Sequence, residues 1–348
     1  MKIDYMMSKE YCADWTAIDA IREIVQNAID SGKEYRCDLQ PEDNCIQVVT
    51  YSTNLAKEVF GLGVSKKQDG AIGKYGEGFK IGMMVLEREG LEPALITDTL
   101  EVTASFELNE AIGIETFNLN IEESESEVAP YINFMCRTDG IDLDELKRKV
   151  TPFAEKPIGI TSTVKRLDNQ SGIYVNGLFV CEDDELTFGY NFNPANITLN
   201  RDRNMVDGVE WQLATYYNDT PPQHASALFE LIEAGAKDVR LLGYMLTNVD
   251  LKKNLAMAFA KKYGVGKAIA HQAGSYIGGS HVSYNESTYR TMRAAGISEA
   301  IPMTDPESPA GIIENFLALN KKRMRRDLRV QFDKLHTKSK GWSKAGIY

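Results

Sequence analysis

The sequence has no apolar run approaching the ~20 residues that a membrane-spanning helix needs, and its first residues lack the apolar stretch of a secretory signal. No contact with a membrane is therefore expected, and a cytoplasmic location is. Cysteine is scarce: Cys12, Cys37, Cys45, Cys136 and Cys181 are odd in number, scattered and without a Cys-x-x-Cys pair. That pattern excludes a zinc ribbon or a paired redox motif and suits reduced thiols. The four histidines do not cluster as metal ligands, and neither His271 nor His281 has a nucleophile or paired carboxylate beside it. Positive charge is short as well, the formal net charge being −11. From Lys321 to Lys344, ten basic residues stand against Asp327 and Asp333, a local balance of +8 that leaves −19 for the rest. The body should repel nucleic acid, and only this tail offers it a surface. What remains is ordinary globular material: 348 residues, 43% hydrophobic and 26% charged, enough for two or three units with substantial cores.

Two stretches carry chemistry. In Ala17 to Asp30, the positions Ile18, Ile21, Val25, Ala28 and Ile29 recur at helical spacing, with Ser31-Gly32 as a stop and Asp14 or Thr16 near the cap. Glu23, Asn27 and Asp30 stand at i, i+4 and i+7 and so share one face of that helix. A carboxylate one turn from a carboxamide can serve a triphosphate in two ways. Glu23 can position and deprotonate a water, and Asn27 can offer its oxygen to Mg²⁺. A solvated polar face is the plainer reading of the same spacing.

The second stretch is Gly73-Lys74-Tyr75-Gly76-Glu77-Gly78-Phe79-Lys80-Ile81-Gly82, followed by Met83, Met84 and Leu86. Glycines at 73, 76 and 78 let backbone N–H groups approach a ligand closely. The helix start that follows adds unpaired donors and a partial positive charge, a combination suited to phosphate. A mobile turn would have the same composition.

Taken together, in this order and at this spacing, the two stretches resemble the GHKL superfamily of gyrase, heat-shock chaperone, histidine kinase and MutL proteins. Glu23 to Asp30 matches that family's glutamate–asparagine helix. Leu62 to Lys67 with Ile72 to Lys80 looks like its ATP lid, in the style of the chaperone and MORC members. The resemblance implies a Bergerat-type α/β sandwich, bound ATP and Mg²⁺, Glu23 as the water-activating group, Asn27 as the metal ligand and Asp30 as support. It also implies phosphate contacts from Gly73, Gly76, Gly78, Lys74 and Lys80. Gly159 to Val164 sits where the family places a Gly-Thr strand under the adenine, which makes Thr161 and Thr163 candidates for the base pocket. Arg201 and Arg203 are candidates to reach the γ-phosphate from the following domain, with Lys165 a further choice and an arginine–aspartate surface turn the alternative. Nucleotide-driven closure and homodimerisation are the family's habit.

The chain departs from the family at one place. The Asp-x-Gly-x-Gly turn is represented only by Thr50-Tyr51-Ser52-Thr53-Asn54, so a hydroxyl stands where a carboxylate should meet the adenine amino group. Threonine can accept that bond but lacks the charge and bidentate reach. A different purine, weak ATP binding, or a scaffold that kept the fold without nucleotide all fit this substitution. A histidine kinase would need a phospho-acceptor helix, and a topoisomerase a tyrosine-bearing cleavage domain; neither is evident.

The expected fold class is α+β, with an antiparallel or mixed sheet and helices on one face. The nucleotide-binding unit is expected over 1–167, a transducer-like α/β unit over 168–318, and a basic helical tail over 319–348. Strands are expected over Cys45 to Tyr51, Glu101 to Leu108, Ile114 to Ile121 and Gly159 to Leu167. A hairpin should turn at Asn176-Gly177 and lead to Tyr190 to Asn193. Helices are expected at 79–89, Leu143 to Val150, Ala225 to Ala234, Leu251 to Lys262, Glu286 to Ala295 and Gly311 to Arg329.

Overall fold

The first long helix starts where its own side chains allow. Thr16 caps it by accepting from the Asp19 amide, and the Asp19 carboxylate accepts from the Thr16 amide in return. From that cap α1 runs Ala17–Asp30, and it ends in a turn closed by Gly32 at φ +64°. In the computed structural model the described residues are 1–53, 55, 57–61, 77–124, 130–168, 171–200, 206–274 and 281–300, with Phe316, Gln331 and Lys334.

The chain is α+β. Strands β1 (Lys2–Asp4), β2 (Tyr35–Gln40), β3 (Cys45–Tyr51), β4 (Ala94–Thr97), β5 (Leu100–Asn109), β6 (Ile114–Glu123) and β7 (Tyr131–Arg137) form one seven-stranded sheet. Its order is β1-β6-β5-β4-β7-β3-β2, and every pairing is antiparallel. Side chains opposite one another in such a ladder share a face. Val48, Phe134, Leu95, Val102 and Ile121 therefore line up in one buried row across five strands. Helix α2 (Gly78–Arg88) packs against α1, and the pair covers this apolar face, α1 resting on β3 and α2 on β5. The opposite face carries Gln47, Glu101 and Asn133.

Beyond α3 (Leu143–Lys149), strands β8 (Lys165–Leu167), β9 (Ile173–Val175), β10 (Leu178–Cys181) and β11 (Gly189–Phe192) make a four-stranded sheet ordered β10-β9-β11-β8. The β9–β10 hairpin turns at Asn176 and Gly177, both at positive φ (48° and 83°), as a two-residue turn with an Asn-Gly sequence does. The expected strand from Gly159 is cut to its last three residues. Gly159 takes φ +78°, its carbonyl accepts from Asn191 Nδ2, and the Thr161 amide donates to Asn176 Oδ1. Side chains thus take the groups that a ladder would need.

Two compact units emerge, one of 1–184 with 188–208 and one of 185–187 with 209–348. The division comes later than the expected 167/168, a point that lies inside the second sheet, where Leu167 pairs with Gly189. The first unit ends with the small pair β12 (Thr198–Leu199) and β13 (Val206–Asp207). The second contains α4 (Val209–Asn218), α5 (Ala225–Glu233), α6 (Leu242–Met245), α7 (Val249–Tyr263) and α8 (Glu286–Ala294). It also holds a parallel pair, β14 (Ala268–His271) with β15 (His281–Tyr284). Its core is Leu213, Phe229, Leu242, Leu255, Ile269 and Met292. The helix expected over Gly311 to Arg329 and the basic tail lie outside the described residues, save for the helical positions 316, 331 and 334. Among the described residues no helix is long and apolar enough to cross a membrane.

Candidate functional site

The apolar stripe of α1 fixes where its polar face points. Ile18, Ile21, Ile24, Val25, Ala28 and Ile29 are buried, and this rotation carries Glu23 inward with them, to 5% exposure. Asn27 and Asp30 follow on the same face, both half-buried. The Asn27 amide nitrogen donates to the Glu23 backbone carbonyl at 2.8 Å, which turns its Oδ1 to the other side. That oxygen is the atom a hard cation would take.

The Glu23 carboxylate meets the first residue of α2. A Cβ added to Gly78 would lie 2.1 Å from Glu23 Oε2 and 3.1 Å from its Cδ, so only glycine fits there. One helical turn on, a Cβ at Gly82 would stand 3.2 Å from the Ala20 carbonyl oxygen. The two helices thus run antiparallel in close approach, 23 against 78 and 20 against 82. Helix α2 begins without a side-chain cap of its own. A carboxylate beside its first residue is electrostatically favoured by the unpaired amides and partial positive charge of that end.

The chain entering the glycine-rich stretch is anchored on both sides. Lys80 is 1% exposed, and its Nζ donates to the Gly61 carbonyl at 2.6 Å. Burial lowers the Lys80 pKa, and the Glu77 carboxylate offsets part of that. Tyr5 donates its hydroxyl to the neighbouring Phe60 carbonyl at 2.5 Å, and burial pushes its pKa up to about 12. Gly73, Lys74, Gly76, Arg201 and Arg203 lie outside the described residues.

Thr50 is buried at 5% exposure on the face shared with Ile46 and Val48, in a row with Ile132 and Thr97. The Thr97 hydroxyl is taken up by the β4–β5 turn, accepting from the Thr99 and Leu100 amides. Thr161 and Thr163 belong with the second sheet instead, in the loop before β8. There the Thr161 hydroxyl donates to the Thr163 carbonyl at 2.8 Å, and Thr163 is exposed. Lys165 donates to the Ile158 carbonyl at 3.0 Å. The structure thus brings Glu23 and Gly78 together at the α1–α2 contact, keeps Asn27 and Asp30 on the same face of α1 as Glu23, and leaves Thr161, Thr163 and Lys165 with the second sheet. Glu23 also borders a cavity of about 240 Å³ with Trp15, Asp19, Arg22, Lys149 and Phe179.

Sequence reasoning missed Tyr5 and Arg88. The first hydrogen-bonds a loop 55 residues away, and no local pattern signals that. Arg88, in the last turn of α2, donates from Nη1 to the carbonyls of Lys9 (3.2 Å), Tyr11 (3.4 Å) and Cys12 (3.2 Å). Its Nη2 donates to the Trp15 carbonyl at 2.7 Å. A basic residue at a helix C-terminus reads in sequence as a dipole partner only.

No protein-family model matches the chain. It is similar to an uncharacterized protein of Mycoplasma pneumoniae (strain ATCC 29342 / M129 / Subtype 1), 24% identical over 218 residues, which span 56% of this chain and 86% of that one.

Proposed function

We propose that the chain is a nucleotide-binding protein of GHKL type, a slow Mg²⁺-dependent ATPase in which nucleotide closes a lid and drives dimerisation. The carrying observation is the buried Glu23 carboxylate set against Gly78, at the junction where the glycine-rich stretch becomes α2. An antiparallel sheet with two helices over one face, the glutamate–asparagine helix being one of them, supports a Bergerat-type arrangement. On this reading Glu23 holds and deprotonates the attacking water. Asn27 offers Oδ1 to Mg²⁺, a hard cation that prefers such oxygen donors, and Asp30 supports it. Magnesium, when bound, would neutralise phosphate charge. The amides of Gly73, Gly76 and Gly78 would cradle the phosphates with Lys74. Lys80, whose Nζ donates to the Gly61 carbonyl, is the alternative to Lys74 as the source of positive charge there. Arg201 or Arg203 would complete the γ-phosphate contacts, and residues 168–318 would act as transducer.

One observation favours a second reading, a scaffold that kept the fold without hydrolysis. Thr50 brings a neutral hydroxyl to the buried position where the family has its adenine-binding carboxylate. Calorimetry with ATP, GTP and a non-hydrolysable analogue, each with Mg²⁺, separates the two. The ATPase reading requires saturable binding of at least one triphosphate and phosphate release in the same preparation. No heat from any of the three would leave the scaffold.

A further inference from the structure

We infer that Arg88 is a positioning residue for the Glu23 carboxylate, acting from the far end of α2. The inference rests on the reading of Glu23 as the water-activating group. Three contacts fix the register of α1 against α2: Glu23 beside Gly78, the Ala20 carbonyl beside Gly82, and the Trp15 carbonyl on Arg88. The first two are steric and only forbid closer approach. The third is a tether. Four carbonyls of the segment that leads into α1 converge on one guanidinium, which is 14% exposed.

A planar fork of five donors can hold several carbonyls at once, and an ammonium cannot do so in the same geometry. Because α2 is one continuous helix, fixing its last turn fixes its first, about 15 Å away at 1.5 Å per residue. A slide of α2 along α1 would carry Gly78 off Glu23 and let the carboxylate leave its place. Mispositioning by about 1 Å is enough to cost on the order of a hundredfold in rate.

The test uses the full chain with Arg88→Gln, Arg88→Lys and Gly82→Ala, read by amide hydrogen exchange and by phosphate release from Mg-ATP. For Arg88→Gln, faster exchange is expected in residues 8–15 and also at the amides of Gly78 to Met84, the opposite end of the helix. The turnover number should fall about tenfold to a hundredfold, with KM within about threefold. Arg88→Lys, which keeps the charge and loses the fork, should lie between wild type and Gln in both readouts and carries the test if the Gln variant does not fold. Gly82→Ala should speed exchange at the first turn of α2 while 8–15 stays protected. A merely local anchor predicts faster exchange only in 8–15 and the last turn of α2. That result, or an unchanged turnover number in Arg88→Gln, overturns the inference. Wild-type protein that releases no phosphate would refute the ATPase reading alone, since the exchange pattern decides the role of Arg88 without turnover.

Discussion

Each of the two units holds a glutamate side chain away from solvent, and the two are enclosed differently. In the second unit, Glu233 at the end of α5 has an 8% exposed side chain that is enclosed by donors. Lys262 pairs with it, Tyr263 donates at 2.6 Å and Tyr284 at 2.7 Å, so α5, α7 and β15 meet on one carboxylate. Burial alone would raise its pKa, but the hydrogen bonds from Lys262, Tyr263 and Tyr284 outweigh that and hold it below the ordinary value. In the first unit, Glu23 is packed against the backbone of a glycine at the end of a glycine-rich stretch. A carboxylate ringed by fixed side chains is a knot. On the reading proposed above, Glu23, beside a helix start, would take up a water next to a phosphate-bound cation.

The sharpest break of this comparison is to neutralise each glutamate in turn. Glu23→Ala should lower phosphate release by about 10²–10⁴ while retaining nucleotide affinity, the usual cost of losing a general base. Glu233→Gln should leave turnover unchanged and lower unfolding stability by about 2 kcal/mol, because hydrogen bonds to a buried charge are lost. Steady-state phosphate release and urea unfolding, run on both variants, check the pair. Equal effects on rate, or wild-type turnover in Glu23→Ala, would erase the distinction.

A finer break targets the contact itself. Gly78→Ala places a methyl group 2.1 Å from Glu23 Oε2, so something must shift. Overpacking of this kind costs about 1–3 kcal/mol. The double variant Glu23→Ala with Gly78→Ala removes the obstructing carboxylate and should recover most of that loss, a coupling read by a double-mutant cycle in urea. Additive effects would mean that the two residues do not touch in solution.

How far these features could be read in the sequence depends on the range of the cause. α1 and β3 have the expected bounds, because helical spacing with a cap near Thr16 and the β-branched content of Cys45 to Tyr51 are local signals. The hairpin at Asn176-Gly177 is local too. Strand β2 escaped because Tyr35–Gln40 is a polar edge strand that only its register with β3 orders, Leu39 opposite Ile46. β4 escaped as four residues beside Pro93, and β7 as a short apolar run interrupted by Asn133. At the site, Glu23 and Asn27 stand out through one-turn spacing. Lys80 reads, beside glycines, as a phosphate ligand, and the sequence gives no sign that its Nζ meets the Gly61 carbonyl. Which carbonyl a lysine meets is a tertiary fact.

The smallest expected effect concerns pH, and it sharpens the same comparison. The folded pKa of Glu233 lies below its ordinary 4.5, so in acid the unfolded chain binds more protons than the folded one. The stability this group contributes is complete above that value and is lost as pH falls through the folded pKa. Tyr5 behaves in the opposite sense. With its folded pKa at about 12 against an ordinary 10.0, its contribution is complete below pH 10 and disappears as pH climbs toward 12. Acid should therefore loosen α5, α7 and β15 first, while alkali should loosen the Phe60 turn that Tyr5 holds. Hydrogen exchange of peptides from each unit across both limbs reads this directly, with Glu233→Gln flattening the acid limb and Tyr5→Phe the alkaline one. If Glu233→Gln leaves the acid limb of the second unit unchanged, the enclosing donors contribute nothing to holding that carboxylate ionised, and the contrast with Glu23 would rest on geometry alone.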